Sequence, residues 1–310
     1  MKYIYAVILF ACLLPKFTFA QYDNIRQPLT PEETARYKKN KVMAELQKIM
    51  DNGVAKNYKA LAIDTGGRLR ASISYLRNQY FLYDLSGNVI AYLDSLRGSD
   101  NKFTEKAYYF TYDEQYNKLQ KATTPDGEVN FNYDPNTNIL TQFYVNNDTL
   151  KLTKYHFDSQ KRLVLIEGFD HQNTLKQRID RAYSSNGTLH REEIIGNFPN
   201  GADSTIILYQ YDGQKHLYKK QVFNYRKFYV NMNNSPVPTH SAEQTSLGTI
   251  TYTYDKKWNK IAENYTNNVD KLSNYYITWQ YNEKGLTTKK TIQKGKNEPD
   301  VILYEYSFFE

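Results

Sequence analysis

The sequence has almost none of the residues and motifs that build disulfide-stabilised proteins and common enzymes. Cys12 is the only cysteine among 310 residues, so no disulfide framework can form and an apolar core must supply the stability. No HExxH, GxSxG, Walker or GxGxxG motif occurs, and the five histidines are scattered. We therefore predict a protein that is not an enzyme, with no catalytic residue, no metal site and no cofactor.

The sequence also lacks a dense basic block and an apolar run long enough to cross a bilayer as a helix. The formal net charge of +7 is spread over the whole chain, which argues against nucleic acid as a partner but is compatible with an anionic glycan or lipid surface. The apolar run from Tyr3 to Leu14 is shorter than the ~20 residues of a transmembrane helix. Its length and position are those of a secretory signal.

The end of this signal is predicted from small residues. Thr18 and Ala20 stand at positions −3 and −1 of a cleavage site, so the mature chain is expected to begin at Gln21. The residues up to Cys12 also fit a lipobox in which this cysteine is acylated, and that alternative stays open. Either route predicts an exported protein, in the periplasm or on the outer surface of a Gram-negative bacterium.

Aromatic residues are abundant, with 30 tyrosines and 15 phenylalanines. They recur in a motif of two aromatics two residues apart, a short polar residue, a Gly or Asn, and then an apolar residue, as in FLYDLSGNV at 81–89. The motif occurs nine times, at spacings of 21 to 43 residues. Five copies keep the Tyr-Asp pair itself: Tyr83 and Asp84, Tyr112 and Asp113, Tyr133 and Asp134, Tyr211 and Asp212, and Tyr254 and Asp255.

Each part of the motif has a role in an antiparallel hairpin. Aromatics at i and i+2 lie on one face of a strand because side chains alternate. The Asp begins a turn by accepting backbone N–H bonds, and the Gly or Asn tolerates the positive φ of tight turns. The motif therefore predicts repeated hairpins whose aromatic rings fill one face of a sheet.

The motif resembles the YD-repeat family, also called Rhs-like repeats, whose units read aromatic-x-Tyr-Asp-x-x-Gly-Asn-Leu. TYTYDKKWNKI at 251–261 and WQYNEKGL at 279–286 follow it more loosely than the copy at 81–89. The resemblance covers about residues 80–310 and implies a secreted bacterial protein whose hairpins build a long curled β-sheet. In large toxin members these hairpins form a shell around a cargo domain. No cargo domain is seen in this sequence, so only the hairpin architecture is carried over.

The predicted organisation has three parts: a signal peptide at 1–20, an N-terminal segment at 21–55, and a hairpin-repeat domain at 56–310 with a long inserted loop at about 225–248. The capping box formed by Thr30 and Glu33 predicts an amphipathic helix from about Pro31 to Met50. We expect its apolar stripe to cover part of the sheet, although a partner-binding helix is the alternative.

The fold class that these observations favour is all-β: a curled antiparallel sheet of repeated hairpins with one N-terminal helix. The predicted function is that of a non-catalytic exported repeat protein of the cell envelope that binds a protein or glycan partner. Peripheral association with the outer membrane is compatible with it. The alternatives are an integral outer-membrane β-barrel and a polysaccharide hydrolase.

Three aromatic residues are candidates for contact with a partner. Trp258 lies in a turn, where its ring is not expected to pack in the core and could instead stack on a sugar. Tyr275 and Tyr276 are adjacent, so alternation places one ring on each face of their strand. One of these rings is therefore expected to be exposed.

Overall fold

The structure is a computed structural model that describes residues 28–113, 118–125, 127–144, 151–198, 201–232, 235–238 and 243–310. The predicted signal peptide, with Cys12 and the bond between Ala20 and Gln21, lies outside the described residues. Within them, one α-helix, one short 3-10 helix and 21 strands occur.

The helix α1 spans Pro31–Lys39 and the 3-10 turn spans Lys271–Ser273. The strands are β1 Val42–Asp51, β2 Val54–Ile63, β3 Leu69–Ser74, β4 Arg77–Tyr83, β5 Val89–Arg97, β6 Phe103–Tyr112, β7 Leu119–Thr124, β8 Gly127–Asp134, β9 Ile139–Tyr144, β10 Leu152–Phe157, β11 Leu163–Phe169, β12 Leu175–Tyr183, β13 Leu189–Phe198, β14 Gly201–Tyr211, β15 Leu217–Met232, β16 Ser235–Pro238, β17 Glu243–Tyr254, β18 Lys260–Asn267, β19 Tyr275–Tyr281, β20 Thr287–Lys294 and β21 Asp300–Phe308.

The strands form one antiparallel sheet that closes on itself. Neighbouring strands pair in chain order, β16 pairs only with the far end of β15, and β1 pairs with β21 as well as with β2. Next to the closing pair, the Phe309 N–H donates to the Lys41 carbonyl at 2.8 Å. The prediction of an all-β antiparallel fold with one helix is confirmed for the described residues. The curled sheet is closed, however: its first and last strands, β1 and β21, pair with each other.

The helix is shorter than the sequence predicts. The capping box is present, since the Glu33 N–H donates to Thr30 Oγ1 at 3.1 Å and the Thr30 N–H donates to Glu33 Oε2 at 2.8 Å. The helix ends at Lys39, and Lys41 has a positive φ of 54° that turns the chain into β1. The residues predicted to form the second half of the helix form strand β1 instead. Pairing with β2 and β21 supplies hydrogen-bond partners to the backbone N–H and C=O groups of β1 on both sides.

The loop predicted at about 225–248 is mostly strand. Strand β15 continues to Met232, and its pairing with β17 extends to Arg226 opposite Glu243. The described extra residues lengthen this hairpin, and the far end of β15 pairs with β16 instead of β17. The short turn from Asp64 to Gly67, by contrast, connects β2 directly to β3.

The chain divides into two compact units. Unit 1 comprises the residues up to Phe110 with 283–286 and 303–310, and unit 2 comprises 111–282 with 287–302. In each unit the motif aromatics occupy one face of the sheet, called here the repeat face, and the side chains between them occupy the opposite face. The repeat face is the more buried: the core of unit 1 includes Phe81, Tyr92 and Tyr108, and that of unit 2 includes Tyr155.

The polar residue of the motif makes the turn, as predicted. Asp158 Oδ1 accepts the N–H groups of Gln160 and Arg162, each at 2.9 Å, and the intervening Lys161 has a positive φ of 62°. Asp212 and Asp255 accept the corresponding pairs of N–H groups in their own turns. These three hairpins therefore share the same four-residue turn, in which the carboxylate replaces lost backbone partners.

The tyrosine of the motif ties neighbouring hairpins together. Its hydroxyl donates to the carbonyl that begins the adjacent strand: Tyr83 to Leu69, Tyr183 to Leu163, Tyr254 to Leu217 and Tyr281 to Lys260, at 2.7 to 2.9 Å. Phenylalanine cannot make this bond, which explains why tyrosine occupies the position so often. The hydroxyls of these four tyrosines thus have protein partners at the sheet margin.

The turn aspartate also positions a cation over the next tyrosine. Arg162 Nε donates to Asp158 Oδ2 at 2.7 Å, and the Arg162 guanidinium lies 4.7 Å from the centre of the Tyr183 ring. In the corresponding turn of unit 1, Arg68 bonds Asp64 and covers the Tyr83 ring. Neighbouring repeats are therefore joined by an acid, a cation and a ring, in addition to the backbone ladder.

Acid is expected to weaken these turns. The pKa values of Asp158, Asp170 and Asp212 lie below the ordinary 3.8. The largest cause in each case is the hydrogen bond that the carboxylate accepts from the backbone N–H of the residue four positions later. A carboxyl group whose pKa is lower in the folded than in the unfolded state stabilises the fold at any pH above its unfolded pKa. This contribution is lost as the pH falls through the pKa of the folded state. We therefore expect the urea midpoint to fall progressively below about pH 4.

The matched variant for this titration is Asp158→Asn. Its amide oxygen still accepts the two N–H bonds but does not ionise, so the variant should lose less stability between pH 5 and pH 2 than the parent chain does. Equal losses in the two proteins would contradict a role for this carboxylate in the acid response.

Candidate functional site

The structure does not bring the three predicted contact residues together. Trp258 occupies the positive-φ position of the β17–β18 turn, with φ of 62°, and stacks on His216 with ring centres 3.7 Å apart and planes at 8°. Tyr275 lies on the repeat face, where its hydroxyl donates to Glu263 at 2.9 Å. Tyr276 lies on the opposite face and is 47% exposed. Tyr275 is held by a neighbouring side chain, whereas Trp258, which is 45% exposed despite its stack on His216, and Tyr276 both present an exposed ring.

The repeat face of unit 2 carries a different cluster. Lysines and aromatic rings alternate across six neighbouring strands: Tyr209 on β14, Lys220 on β15, Tyr252 on β17, Lys260 on β18, Trp279 on β19 and Lys290 on β20. We call these six residues the lysine–aromatic ladder. Tyr209 is paired directly with Lys220, and Trp279 with Lys290.

Each lysine of the ladder lies close to the rings beside it. Lys220 Nζ is 5.3 Å from the centre of the Tyr209 ring and 5.9 Å from that of Tyr252. Lys260 Nζ is 5.6 Å from the Tyr252 ring and 4.4 Å from the Trp279 ring, and Lys290 Nζ is 5.6 Å from the Trp279 ring. These distances are within the range of cation–π attraction, which holds the ammonium groups at fixed positions between the rings.

The carboxylates on this face are already engaged. Glu263 accepts from Lys260 Nζ at 2.9 Å and from the Tyr275 hydroxyl, and the largely buried Glu192 accepts from Arg181 Nε at 2.7 Å. A retaining or inverting glycosidase needs two carboxyl groups that are free to act across a sugar. Both carboxylates have partners here, so the structure adds no support to the hydrolase alternative.

Two cations of the ladder lack such a partner. Among the residues that the structure describes, Lys220 and Lys290 form no ion pair with a carboxylate. Burial is the largest cause that lowers the pKa of each, the neighbouring charge of Lys260 lowers it further, and the carboxylate charge of Glu263 acts in the opposite direction. Partial burial makes the charged form of an ammonium group less favourable, and a bound anion stabilises that charged form.

The sequence contained an unrecognised signal for this cluster. In each repeat hairpin with a described register, the first aromatic position of the motif is paired with the residue eleven positions later, as Arg181 is with Glu192. The residues found at this position are Tyr92, Gln142, Ile166, Glu192, Lys220, Glu263 and Lys290. The residue at this position is apolar or neutral in the early hairpins and alternates between glutamate and lysine in the late ones.

A second surface lies on the opposite face of unit 1 and is apolar. Its middle row consists of laterally paired residues on six strands: Ala44, Ala62, Ala71, Tyr80, Leu93 and Ala107. The row beside it contains Leu82, Ala91 and Tyr109, of which Leu82 is 53% and Tyr109 57% exposed. We call these two rows the apolar face of unit 1.

Aromatic residues and an arginine extend this surface at the hairpin ends. Tyr75 and Leu76, in the β3–β4 turn, are 68% and 61% exposed. The Arg97 guanidinium lies 4.3 Å from the centre of the Tyr75 ring and 5.9 Å from that of Phe103. Side chains with an apolar stem or ring and a cationic or hydroxyl tip are typical of the boundary between lipid and water.

The opposite face of unit 2 is charged instead. Lys154, Glu167 and Arg178 are paired laterally across three strands near their centres. Arg178 bonds Asp180 at 2.8 Å, and Arg191 bonds Glu193 at 2.6 Å. The two units therefore present chemically different opposite faces.

Some classes of site are absent from the described part of the chain. It holds no group of three or more His, Cys, Asp or Glu side chains placed to bind a metal ion. Its helices include none that is long and apolar enough to cross a membrane.

Comparisons with known proteins give no assignment. No family model and no curated protein matches the chain, so the YD-repeat resemblance rests on the motif. A structure of the toxin complex TcdB2-TccC3-TEV matches with 13% identity and a TM-score of 0.26 over 80% of this chain. This chain spans only 16% of that one.

Two porin-like proteins match at similar levels. The one from Bacteroides uniformis has 9% identity and a TM-score of 0.35, covering 86% of this chain and 97% of its own. The one from Bacteroides vulgatus has 12% identity and a TM-score of 0.32, covering 70% and 98%. Likenesses at these scores assign neither a family nor a function to this chain.

Proposed function

We propose that this chain is an exported, non-catalytic β-barrel protein of the Gram-negative cell envelope that attaches to the outer membrane through the apolar face of unit 1. The observation that carries the proposal is the exposure of Leu82 and Tyr109 within continuous apolar rows. Exposed apolar surface of this extent marks a contact site for lipid or for another protein.

The hairpin ends favour a bilayer as the contacted surface. Tyr75, Leu76 and Phe103 are exposed beside the Arg97 guanidinium. Aromatic rings partition to the headgroup region, and an arginine reaches the anionic headgroups while its stem stays in apolar surroundings. The excess of positive charge over the chain acts in the same direction.

The integral outer-membrane barrel is the second candidate, and closure of the sheet favours it because a closed barrel can satisfy its whole backbone in lipid. Strand length opposes it. Strands β3, β7, β9 and β10 have six residues each, whereas a transmembrane strand needs about 9–11. Six residues extend only about 20 Å even without tilt.

The charges of unit 2 oppose full embedding as well. A lysine or arginine on a lipid-facing wall costs ~2–4 kcal/mol near the bilayer midplane. Lys154 and Arg178 lie near the centres of their strands on the opposite face, while Lys220 and Lys290 lie on the repeat face. Neither face of unit 2 is apolar, so attachment through unit 1 alone fits the surface chemistry better.

Cysteine labelling in native outer membranes tests the proposal. Leu82→Cys and Tyr109→Cys place a thiol on the apolar face of unit 1, and Asn130→Cys and Thr251→Cys place one on the exposed opposite face of unit 2. Because Cys12 is the only native cysteine, mass spectrometry can assign each new label. We expect an impermeant maleimide to modify the unit 2 thiols at least tenfold faster than the unit 1 thiols.

The reference sample is the same set of variants after detergent solubilisation, in which all four thiols should react. Protection of all four in the membrane would establish the integral barrel instead. Equal reaction of all four without detergent would show that unit 1 does not contact lipid and would overturn the attachment.

A further inference from the structure

We propose that the lysine–aromatic ladder of unit 2 binds an acidic polysaccharide, whose carboxylate or sulfate groups pair with Lys220 and Lys290. This inference concerns a different surface from the membrane attachment and does not depend on it. It starts from two half-buried ammonium groups that have ring contacts and no ion pair among the described residues.

The first step is the charge on this face. Arg181 is neutralised by Glu192 and Lys260 by Glu263, so these pairs contribute little net charge. Lys220 and Lys290 remain as two positive charges held between aromatic rings. Pairing a desolvated lysine with an anion recovers Coulomb energy that water no longer supplies, and this is worth more here than on an open surface.

The second step is the distance between the two charges. Strands β15 and β20 are separated by four lateral pairings, through β17, β18 and β19. At about 4.8 Å for each pairing, the two ammonium groups lie on strands roughly 19 Å apart. No single small anion spans such a distance, so the ligand that uses both lysines is a chain with repeated acidic groups.

The third step is the surface between the charges. Tyr252 and Trp279 lie between the terminal lysines, and Tyr209 lies beyond Lys220. Aromatic rings with a polar tip offer both an apolar contact and a hydrogen bond, which suits the mixed apolar and hydroxyl surface of a sugar. These features favour an acidic glycan over a small anion.

Binding to defined oligosaccharides tests this inference. The probes are hexasaccharides derived from polygalacturonate and from heparin, with maltohexaose as the neutral probe, measured by calorimetry at two salt concentrations. We expect an acidic probe to bind, its affinity to fall as salt rises, and the neutral probe to bind at least tenfold more weakly. Lys220→Met and Lys290→Met should each weaken the acidic probe about tenfold, and the double variant about a hundredfold.

The chain supplies matched controls for both lysines. Lys219 and Lys289 are their sequence neighbours, on the same strands but on the opposite face. Lys219→Met and Lys289→Met remove the same charge and should leave the affinity within twofold of the parent value. Near-UV circular dichroism verifies that all four variants keep the fold.

Three results would overturn the inference. The first is that the Lys219 and Lys289 variants weaken binding of the acidic probe as much as the Lys220 and Lys290 variants do, which would indicate attraction by net charge alone. Another is that no acidic probe binds. The third is binding of vesicles that contain lipopolysaccharide without binding of either acidic oligosaccharide, which assigns the lysines to lipid phosphate. None of these results alters the labelling pattern expected for unit 1, so the two proposals fail separately.

Discussion

Replacing Tyr155 by alanine is expected to lower the free energy of unfolding by about 3–5 kcal/mol. This side chain is 0% exposed on the repeat face of unit 2, between Leu140 on β9 and Ile166 on β11. Its hydroxyl donates to Gln142 Oε1 at 2.8 Å in a buried setting. The variant removes the ring, leaves a cavity and takes a donor from a buried amide, and each change is unfavourable.

The measurement is equilibrium unfolding in urea, with comparison of midpoints at an unchanged slope. Tyr155→Phe keeps the ring and loses only the hydrogen bond, so it should cost about 1–2 kcal/mol. Phe143→Ala is the control on the opposite face of β9, where the ring is 40% exposed, and it should cost less than Tyr155→Ala does. A similar loss for Phe143→Ala and Tyr155→Ala would mean that the repeat face is not the core of this unit.

Replacing Gly67 by alanine is expected to displace helix α1 from the turn between β2 and β3. Gly67 has a φ of +80°, and an added Cβ would lie 2.3 Å from the Thr34 carbonyl oxygen and 2.8 Å from the Lys38 nitrogen. Both contacts are with helix backbone, which cannot rotate away as a side chain can. We expect a loss of about 2–5 kcal/mol, from left-handed strain and overpacking together.

Gly187→Ala is the matched control for this change. Gly187 occupies the same position of the β12–β13 turn, with a φ of +88°, but an added Cβ would meet nothing within 4 Å. It should therefore incur only the strain of about 1–2 kcal/mol. Hydrogen exchange separates the two effects: the amides of α1 should lose protection in Gly67→Ala and keep it in Gly187→Ala. Retained protection in both variants would show that the helix is not held at Gly67.

The local structure of the repeats was predictable because it depends on neighbouring residues. Asp158 and its equivalents make the turn they were expected to make, and the aromatics of the motif share one face. The helix was predicted too long because Val42, Leu46 and Ile49 fit a helical stripe as well as they fit a strand. Pairing partners on both sides of β1 decided between the two.

The candidate site was not predictable from motifs. Sequence reasoning chose Trp258, Tyr275 and Tyr276 because exposed aromatics suit binding, but it could not show that Trp258 stacks on His216 or that Glu263 holds Tyr275. Lys220 and Lys290 of the ladder lie eleven residues after a motif aromatic, a constant register that becomes visible only when the strands are paired. No local pattern distinguishes Lys220 from Lys219, although alternation places them on opposite faces.

The sequence by itself determined the all-β class, the antiparallel hairpins, their turns and the face that the rings occupy, because each depends on residues close together in the chain. Only the tertiary structure decided that β21 returns to β1 and closes the sheet, that the tyrosine hydroxyls join neighbouring hairpins, and that Lys220 and Lys290 form no ion pair within the part of the chain that the structure describes. The physical reason is that these features depend on distant strands, whose pairing follows from the summed twist of many hairpins.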